Sequence, residues 1–429
     1  MPDKRNNGQW MLGAIVLVAV VLLGLRWSTS ILSKGPVFDE QYITIPINDL
    51  IREGWSVQTA IDFQETKGPA MIWPYALVGK WFGGSLNDLR LVSVWCSILA
   101  IGVLVWIAVR CKLHQKTLYY VALGWLLLPY NIVFSEIVMG ESSFLLLSLL
   151  CVAIFIWSFD EDSSPTRSRV APVLYCIALA IALHSRIHVV AVAGGICIAA
   201  WSLQGRRSWP WWVASLVAGL LRIPLWQRWG GLVSPEYQSL HGLGFRLESL
   251  TYLAAALVPF VGVFAIEAWC AVKSRTALVV SFLVGFGLCM VAMPDLVVPE
   301  MIDFSNHSER FQGIVSTLTT TVSASPAVQK IVLSILSGIG LAGLSGLWYC
   351  KREDASTVET LIHDVCYWSL TLGWLLYALT RGFVFDRFIL IWAFLLPIIW
   401  IRLLPGWLMA AQCIVLAVIA ARLTMLWMM

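Results

Sequence analysis

Charged residues are scarce in this sequence. Asp, Glu, Lys and Arg together make up 13% of its 429 residues, whereas a soluble domain has about 25%. Apolar residues make up 59%, and the mean hydropathy is +0.79. A water-soluble fold with this composition would have too few polar side chains to cover its core. The composition therefore excludes a soluble globular protein.

Several patterns that mark other functions are also absent. The sequence contains no P-loop, GxGxxG, HExxH or GxSxG motif and no solenoid-type repeat. Its ten cysteines include no CxxC pair. They fall mostly in apolar segments or at predicted cytoplasmic ends, which indicates free thiols that act as small apolar side chains. We therefore expect neither structural disulfides nor a zinc site.

Long apolar runs recur along the whole chain, and each is rich in Leu, Val, Ala and Trp. Runs of about 17–25 apolar residues cross a bilayer as helices, and the absence of period-two alternation argues against a β-barrel. We predict an all-α polytopic bundle that forms one membrane domain over residues 1–429. About thirteen spans are predicted near 10–27, 89–109, 117–134, 142–159, 170–184, 187–203, 209–226, 250–270, 276–293, 328–349, 365–380, 388–401 and 406–426.

Basic residues mark alternate connections between these spans. The positive-inside rule places such connections in the cytoplasm, and this topology also explains the net charge of +4 without a nucleic-acid partner. The first span is longer than the apolar core of a signal peptide, so we expect a signal anchor. The basic residues are Lys4, Arg5, Arg110, Lys112, Lys116, Arg167, Arg169, Arg206, Arg207, Lys273, Arg275, Lys351, Arg352 and Arg402.

The other connections must then face outward, and they hold most of the polar residues that lie outside spans. The first, 28–88, is the longest and is predicted to carry juxtamembrane helices. One of these, Ile47–Glu53, is amphipathic and followed by Gly54. A second long outward loop covers 294–327. This one-sided distribution of polar residues is the main indication of function before any motif is named.

Adjacent carboxylates, Asp39 and Glu40, lie just beyond the first span. Such a pair at a membrane interface, in a chain with few charges, needs an explanation. One explanation is a solvated loop end. The other is a general base, or a metal ligand, because a carboxylate can remove the proton of an acceptor hydroxyl. The sequence of this loop favours the second explanation.

Three segments of the first outward loop resemble the start of the GT-C membrane glycosyltransferases: DEQYITIPINDLIREG, FQETKGPAMIWPYALVGKWFG and NDLRLVS. The resemblance is to the branch that contains protein O-mannosyltransferases and the lipid A aminoarabinose transferase. That branch has an acidic pair, a surface helix ending in Gly, a Lys-Pro-Pro element with aromatics, Phe-Gly and Arg-Leu. The matching positions are Asp39-Glu40, Gly54, Lys67-Gly68-Pro69, Trp73, Phe82-Gly83 and Arg90-Leu91.

Two later segments add to this resemblance. GESSFLLLSLL resembles the acidic residue that opens the family's fourth span, here Glu141, and FDRFILIWAFLLP resembles its Asp-Arg-Tyr signature. The sequence departs from the pattern at Gly68, where the family has a second proline, and at Phe388, where it has tyrosine. Pro46 is expected to break the surface helix, and Tyr42 lies closer than usual to the acidic pair. These departures bear on the acceptor rather than on the fold.

The resemblance implies transfer of a sugar from a polyprenyl-phosphate donor to an acceptor at the extracytoplasmic face. Asp39 would be the general base, with Glu40 orienting the acceptor and Glu141 forming a second acidic site. Cations suit a phosphate leaving group, and the candidates are Lys67, Arg186 and Arg387. The partners would be the polyprenyl-phosphate-linked sugar, membrane lipids and a protein, lipid or glycan acceptor. The implied location is a bacterial inner membrane, with the active site facing outward.

Each site residue also has a simpler explanation. Arg186 could anchor its span at the interface, Arg387 could pair with Asp386, and Glu141 could interact with a helix dipole. His241 and His307 lack the spacing of metal ligands, and the sequon at Asn306 matters only in a glycosylating host. No cofactor is predicted with certainty, the metal site is unknown, and a divalent cation remains open. The 23 tryptophans are interpreted as interfacial and packing residues rather than as a sugar platform.

Two other functions are compatible with the hydropathy. A transporter or lipid flippase would need charged residues along a path near the span midpoints, whereas Arg222, Glu267 and Arg422 are isolated or near span ends. A polysaccharide polymerase or ligase would be expected to carry its largest outward loop late in the chain. Here the largest loop is the first, which favours the glycosyltransferase.

Overall fold

The computed structural model describes residues 4–37, 39–56, 58–59, 67–159, 165–235, 238, 243–296, 311–323, 325–351, 354–379 and 384–429. The α-helices in chain order are α1 Lys4–Ser28, α2 Glu40–Glu53, α3 Trp73–Phe82, α4 Leu86–Arg110, α5 Thr117–Leu127, α6 Asn131–Glu136, α7 Glu141–Trp157, α8 Pro165–Ser185, α9 Val189–Gln204, α10 Trp209–Leu220, α11 Ile223–Trp229, α12 Leu247–Ala256, α13 Val258–Cys270, α14 Arg275–Val291, α15 Ile314–Val322, α16 Pro326–Tyr349, α17 Thr357–Leu376, α18 Leu390–Ala393, α19 Leu396–Leu403 and α20 Gly406–Met428.

Short elements connect these helices at several points. The 3₁₀ turns are Ser30–Leu32, Pro69–Met71, Gly205–Ser208, Tyr377–Leu379 and Asp386–Ile389. Two-residue strands β1 (Phe311–Gln312) and β2 (Val384–Phe385) pair in parallel, with Phe311 opposite Val384. This small pairing joins the segment before α15 to the segment that carries Arg387.

The chain is a polytopic α-helical membrane protein, as predicted. Among the described residues, six helical stretches are long and apolar enough to cross a bilayer, and a seventh candidate is the pair α12–α13, bent by 70°. The other predicted spans correspond to helices that are shorter, more polar or interrupted. The predicted span 388–401, for example, is divided between a 3₁₀ turn, α18 and α19. The six stretches are Asn7–Ser28, Leu86–Arg110, Thr166–Ser185, Val189–Trp229, Pro326–Tyr349 and Gly406–Met428.

The first outward loop folds as juxtamembrane helices, but the boundaries differ from the prediction. Helix α2 begins at Glu40, seven residues before the predicted start at Ile47, and continues through Pro46 to Gly54, whose φ is 84°. The expectation that Pro46 breaks the helix was wrong. Ile43, Ile47 and Leu50 share one buried face, and the packing of this face compensates for the hydrogen bond that proline cannot donate.

Helix α16 packs closely against α12, α13 and α14. Gly340, Gly343 and Gly346 recur every three residues on one face of α16 and lie directly against the backbone of α12 and α13. A Cβ atom at Gly343 would lie 2.5 Å from the carbonyl oxygen of Val261. Because lipid gives no hydrophobic drive to helix association, small residues that let backbones approach are the usual solution in membranes.

The two ends of the bundle differ in chemistry. The predicted cytoplasmic connections form local ion pairs, such as Arg402 with Glu359 at 2.7 Å and Lys351 with Asp364 at 2.7 Å. The opposite end holds α2, α3 and the turn Asp386–Ile389. All six of the predicted site residues lie at this second end, beside the ends of spans rather than along them.

Candidate active site

Asp39 lies at the N-terminus of α2 but does not cap it with its side chain. The carboxylate instead faces two cations from distant parts of the chain. Its Oδ2 atom lies 3.4 Å from Nζ of Lys67 and 3.3 Å from Nη2 of Arg387. Burial raises the pKa of Asp39, but the two cations outweigh it, so the pKa falls below its ordinary value. Asp39 is therefore ionised at neutral pH and, with 28% of its side chain exposed, remains accessible.

Glu40 is fully buried and forms a double ion pair with Arg90. The Nε and Nη2 atoms of Arg90 donate to its two oxygens at 3.0 and 2.6 Å. The backbone N–H groups of Val138 and Val37 also donate to them, each at 2.7 Å. Arg90 in turn holds the carbonyls of the segment before α2, including Gly35 at 2.8 Å. Both oxygens of Glu40 are occupied by these contacts, which hold α2 against α4, and we propose a positioning role for Glu40 rather than contact with the acceptor.

Glu141 and Arg186 form a second buried ion pair. We refer to Asp39, Lys67 and Arg387 together as the Asp39 cluster. Glu141 opens α7, and one of its oxygens has no hydrogen-bond partner among the described residues. The Lys67 element is tied to this pair through the backbone, because the N–H of Gly68 donates to the carbonyl of Ser185 at 2.7 Å. A Cβ at Gly68 would lie 1.8 Å from the carbonyl oxygen of His184. The glycine that departs from the family pattern thus permits the close contact that positions Lys67.

Three aromatic side chains of the site, Tyr377, His188 and Phe388, stack on one another. Tyr377 donates to or accepts from Nε2 of His188 at 2.6 Å, and Phe388 stacks on both rings with centroids 5.2 and 5.5 Å away. The charges of both Arg186 and Arg387 act on Tyr377. Tyr377 therefore lies close enough to Arg186 and Arg387 for both charges to act on it.

Asp386, which precedes Arg387 in the sequence, is fully enclosed and makes contacts with distant parts of the chain. Its carboxylate accepts hydrogen bonds from the hydroxyl of Tyr130 and from the backbone N–H of Val315, the latter at 3.2 Å. Burial raises its pKa to about 6. Asp386 therefore links the start of α15 to the turn that carries Arg387. The Nη2 atom of Arg387 lies beside Asp39.

An apolar groove of about 720 Å³ lies between α13, α14, α16 and α20. Its lining includes Ile314 and Val315, so one end of the groove adjoins the backbone that Asp386 holds. The polar side chain in the lining, Gln412, donates to the carbonyl of Pro259 at 2.7 Å. Apart from the indole of Trp269, the other lining side chains are hydrocarbon, which suits a lipid chain.

The described part of the chain contains no group of three or more His, Cys, Asp or Glu side chains that could hold a metal ion. The carboxylates nearest the site, Asp39, Glu40 and Glu141, face basic side chains instead. His241 and His307, with the sequon at Asn306, lie outside the described residues.

Several residues of the site did not come from sequence reasoning. Arg90 matched the Arg-Leu motif, but a motif does not show which side chains meet. The sequence therefore did not reveal that Arg90 pairs with Glu40, which was expected to orient the acceptor. His188 lies two residues beyond Arg186 in the sequence HSRIH, and this proximity was an available signal. Tyr377 is an aromatic residue at a predicted span end, among many, so only the fold distinguishes it.

No protein-family model matches the chain, and no curated protein matches it significantly. Among solved structures it is similar to ArnT from Cupriavidus metallidurans. The apo structure aligns with 15% identity and a TM-score of 0.43, over 94% of this chain and 77% of that one. The structure bound to undecaprenyl phosphate aligns with 14% identity and a TM-score of 0.44, over 94% and 76%. At this level of similarity, neither alignment assigns a function to the chain.

Proposed function

We propose that the chain is a GT-C-type glycosyltransferase that transfers a sugar from a polyprenyl-phosphate donor to an acceptor at the extracytoplasmic face of a bacterial inner membrane. One observation carries the proposal. Asp39 from the first loop, Lys67 from the next element and Arg387 from near the C-terminus meet at one carboxylate oxygen. A base and two cations thus share one place at the membrane surface, as transfer from a lipid phosphate requires.

The proposed reaction is a single displacement. The acceptor oxygen attacks C1 of the sugar and transfers its proton to the carboxylate of Asp39. The bond between C1 and the phosphate oxygen breaks, and polyprenyl phosphate leaves with the electron pair. Asp39 suits the base role because its lowered pKa keeps it ionised before the reaction.

The cations suit the leaving group. Lys67 and Arg387 both reach a single anionic oxygen, so both could hold one phosphate and stabilise the charge that develops on it. Arg186 lies nearby, paired with Glu141. We propose that Arg186 supports the phosphate from the second cluster and that the free oxygen of Glu141 binds a sugar hydroxyl.

The apolar groove supports a lipid-linked donor. It lies between membrane helices, and its lining includes Ile314 and Val315, next to the segment that positions Arg387. An isoprenoid chain lying in this groove would bring its phosphate toward the cations. A water-soluble sugar nucleotide would have no use for such a surface.

Asp39→Asn tests the proposed base. We expect the release of polyprenyl phosphate from a panel of labelled polyprenyl-phosphate sugars, incubated with membranes as acceptor, to fall at least about 100-fold. Binding of polyprenyl phosphate should be retained or become tighter, because the variant removes a competing anion from Lys67 and Arg387. Asp49→Asn is the matched control, since Asp49 is an exposed residue on the same helix.

Three outcomes would count against the proposal. Wild-type turnover in Asp39→Asn would show that Asp39 is not the base. Unchanged binding of polyprenyl phosphate in both Lys67→Met and Arg387→Met would show that the phosphate binds elsewhere. Transport of a lipid or solute by proteoliposomes, without any glycosyl product, would favour the transporter instead.

The structure offers little support for that transporter. Glu267 lies in the last turn of α13, and Arg422 is exposed near the end of α20. Neither faces the Asp39 cluster across a span. Asp39, Lys67 and Arg387 converge at one end of the bundle, as expected for surface chemistry rather than for a path through the membrane.

A further inference from the structure

Arg222 is a buried guanidinium that the proposed reaction does not use. It lies where α10 meets α11, at the same end of the bundle as Asp39, and is 1% exposed. Its Nε and Nη1 atoms have no hydrogen-bond partner among the described residues, and no carboxylate there lies within ion-pair distance. Buried arginine in a folded protein is normally paired. Arg222, by contrast, lacks a counter-anion among the described residues.

The surroundings of Arg222 are aromatic. The rings of Trp226 and Trp229 lie with their centroids 5.8 Å from its guanidinium carbon. Such cation–π contacts offset part of the cost of burying the charge, but they leave the N–H groups without acceptors. The titratable neighbour is His184, which adds no negative charge. The site thus has a flat cation beside two rings, with donors available to a planar or tetrahedral anion.

The position of Arg222 indicates the source of this anion. The preceding helix, α10, is lipid-facing, with Leu216, Leu220 and Leu221 exposed on its surface. Arg222 follows directly at its outer end, which is the depth of the lipid headgroups. An interfacial arginine that only anchors a helix extends to the surface, whereas Arg222 is turned inward and enclosed.

We propose that Arg222, with Trp226 and Trp229, forms a binding site for the phosphate of a membrane phospholipid whose acyl chains lie along α10. The phosphate provides the acceptors that the guanidinium lacks, and the exposed leucines of α10 provide the surface for the chains. This site is separate from the Asp39 cluster and does not depend on the proposed reaction.

The test is thermal unfolding of the full-length protein in an uncharged detergent, with dioctanoyl phosphatidylglycerol as the probe. A ligand that binds only the folded state raises the unfolding midpoint, and we expect a rise of at least about 2 °C for the wild type. Arg222→Met should lose this rise. Without lipid, its midpoint should equal or exceed that of the wild type, because the variant removes an uncompensated buried charge.

Control variants and ligands make the test specific. Arg228→Met changes an exposed arginine on the same helix, and Lys67→Met removes a cation of the Asp39 cluster. Both should keep the wild-type response. Dioctanoylglycerol, which lacks the phosphate, should give no rise. Inorganic phosphate at the same concentration should also give none, because it lacks the chains that contact α10.

Four results would overturn the proposal. Arg222→Met could respond to phosphatidylglycerol as the wild type does, or Lys67→Met could lose the response, which would place the lipid in the Asp39 cluster. Inorganic phosphate could reproduce the rise, which would make the ligand a free anion. Arg222→Met could be less stable than the wild type without lipid, which would make the arginine a packing residue held by the tryptophans.

Discussion

The pair of Glu40 and Arg90 shows at the scale of single residues how buried charge organises the site. Breaking a buried ion pair by removing one partner costs about 3–5 kcal/mol, because the other charge is left uncompensated. We therefore expect Glu40→Gln to lower the unfolding midpoint strongly in detergent. The double variant Glu40→Gln/Arg90→Met should recover part of the loss. Glu53→Gln is the control, since Glu53 is exposed on the same helix.

This experiment also separates positioning from contact with the acceptor. If Glu40 positions α2, stability and turnover decline together, and the double variant restores some of each. A Glu40→Gln protein with wild-type stability but no turnover would contradict this assignment and return Glu40 to the acceptor role.

Asp386 gives a prediction for the dependence of stability on pH. Burial raises its pKa from an ordinary 3.8 to about 6, so the folded protein holds this proton more tightly than the unfolded chain does. Its contribution to stability is full below about pH 4 and decreases by roughly 3 kcal/mol as pH rises to 6. Asp39 has a lowered pKa, so its contribution to stability is present at higher pH and is lost as the pH falls.

Asp386→Asn removes this contribution without removing that of Asp39. The difference in unfolding free energy between the wild type and Asp386→Asn should therefore change between pH 4 and 6 and be constant above that range. Denaturant titrations at several pH values measure it. A difference that does not vary with pH would mean that Asp386 is not protonated in the folded protein at pH 4–6.

Sequence reasoning identified the residues that meet at Asp39 better than it identified their supports. Asp39 stood out because ionised side chains are costly near lipid and therefore rare in this chain, whereas Lys67 and Arg387 were identified through the resemblance to GT-C glycosyltransferases. Arg222 was noticed but treated as isolated. Its burial beside Trp226 and Trp229 is a feature of the tertiary structure, and a hydropathy pattern contains no information about such packing.

At the scale of elements, the apolar period located the helices but not their starts or interruptions. The start of α2 at Glu40 depends on packing of Ile43 and Ile47, which overrides the local effect of Pro46. The division of 388–401 depends on β2 and on Asp386, whose partner Tyr130 is distant in the sequence. Local propensity could not predict either feature, because long-range contacts decide both.

The glycine face of α16 gives a prediction at this scale. A Cβ at Gly343 would lie 2.5 Å from the carbonyl oxygen of Val261, so Gly343→Ala must push α13 away and should cost about 1–3 kcal/mol. Gly287 in α14 has no atom within 4 Å of such a position. Gly287→Ala should therefore be neutral or slightly stabilising. Unfolding midpoints of the two variants compare them directly, and equal midpoints would mean that the close packing is not needed.

At the scale of the whole molecule, the proposed function depends on which side of the membrane the site faces. The connections rich in Lys and Arg lie at one end of the bundle, and the Asp39 cluster lies at the other. The positive-inside rule places the first end in the cytoplasm. The proposed reaction uses its polyprenyl-phosphate donor at the extracytoplasmic face. The end of the bundle that carries the Asp39 cluster must therefore face away from the cytoplasm.

Glycosylation mapping in microsomes tests this agreement, because only sequons that face the lumen are modified. The native sequon at Asn306 and a new one made by Val57→Asn, ahead of Gln58 and Thr59, lie in the loops predicted to face outward. We expect both to be glycosylated, with Asn306→Gln as the control. Glu161→Asn places a sequon in a predicted cytoplasmic connection and should remain unmodified. If the Glu161→Asn variant were modified at its new sequon and the Val57→Asn variant were not, Asp39 would lie in the cytoplasm, which would contradict the proposed reaction site.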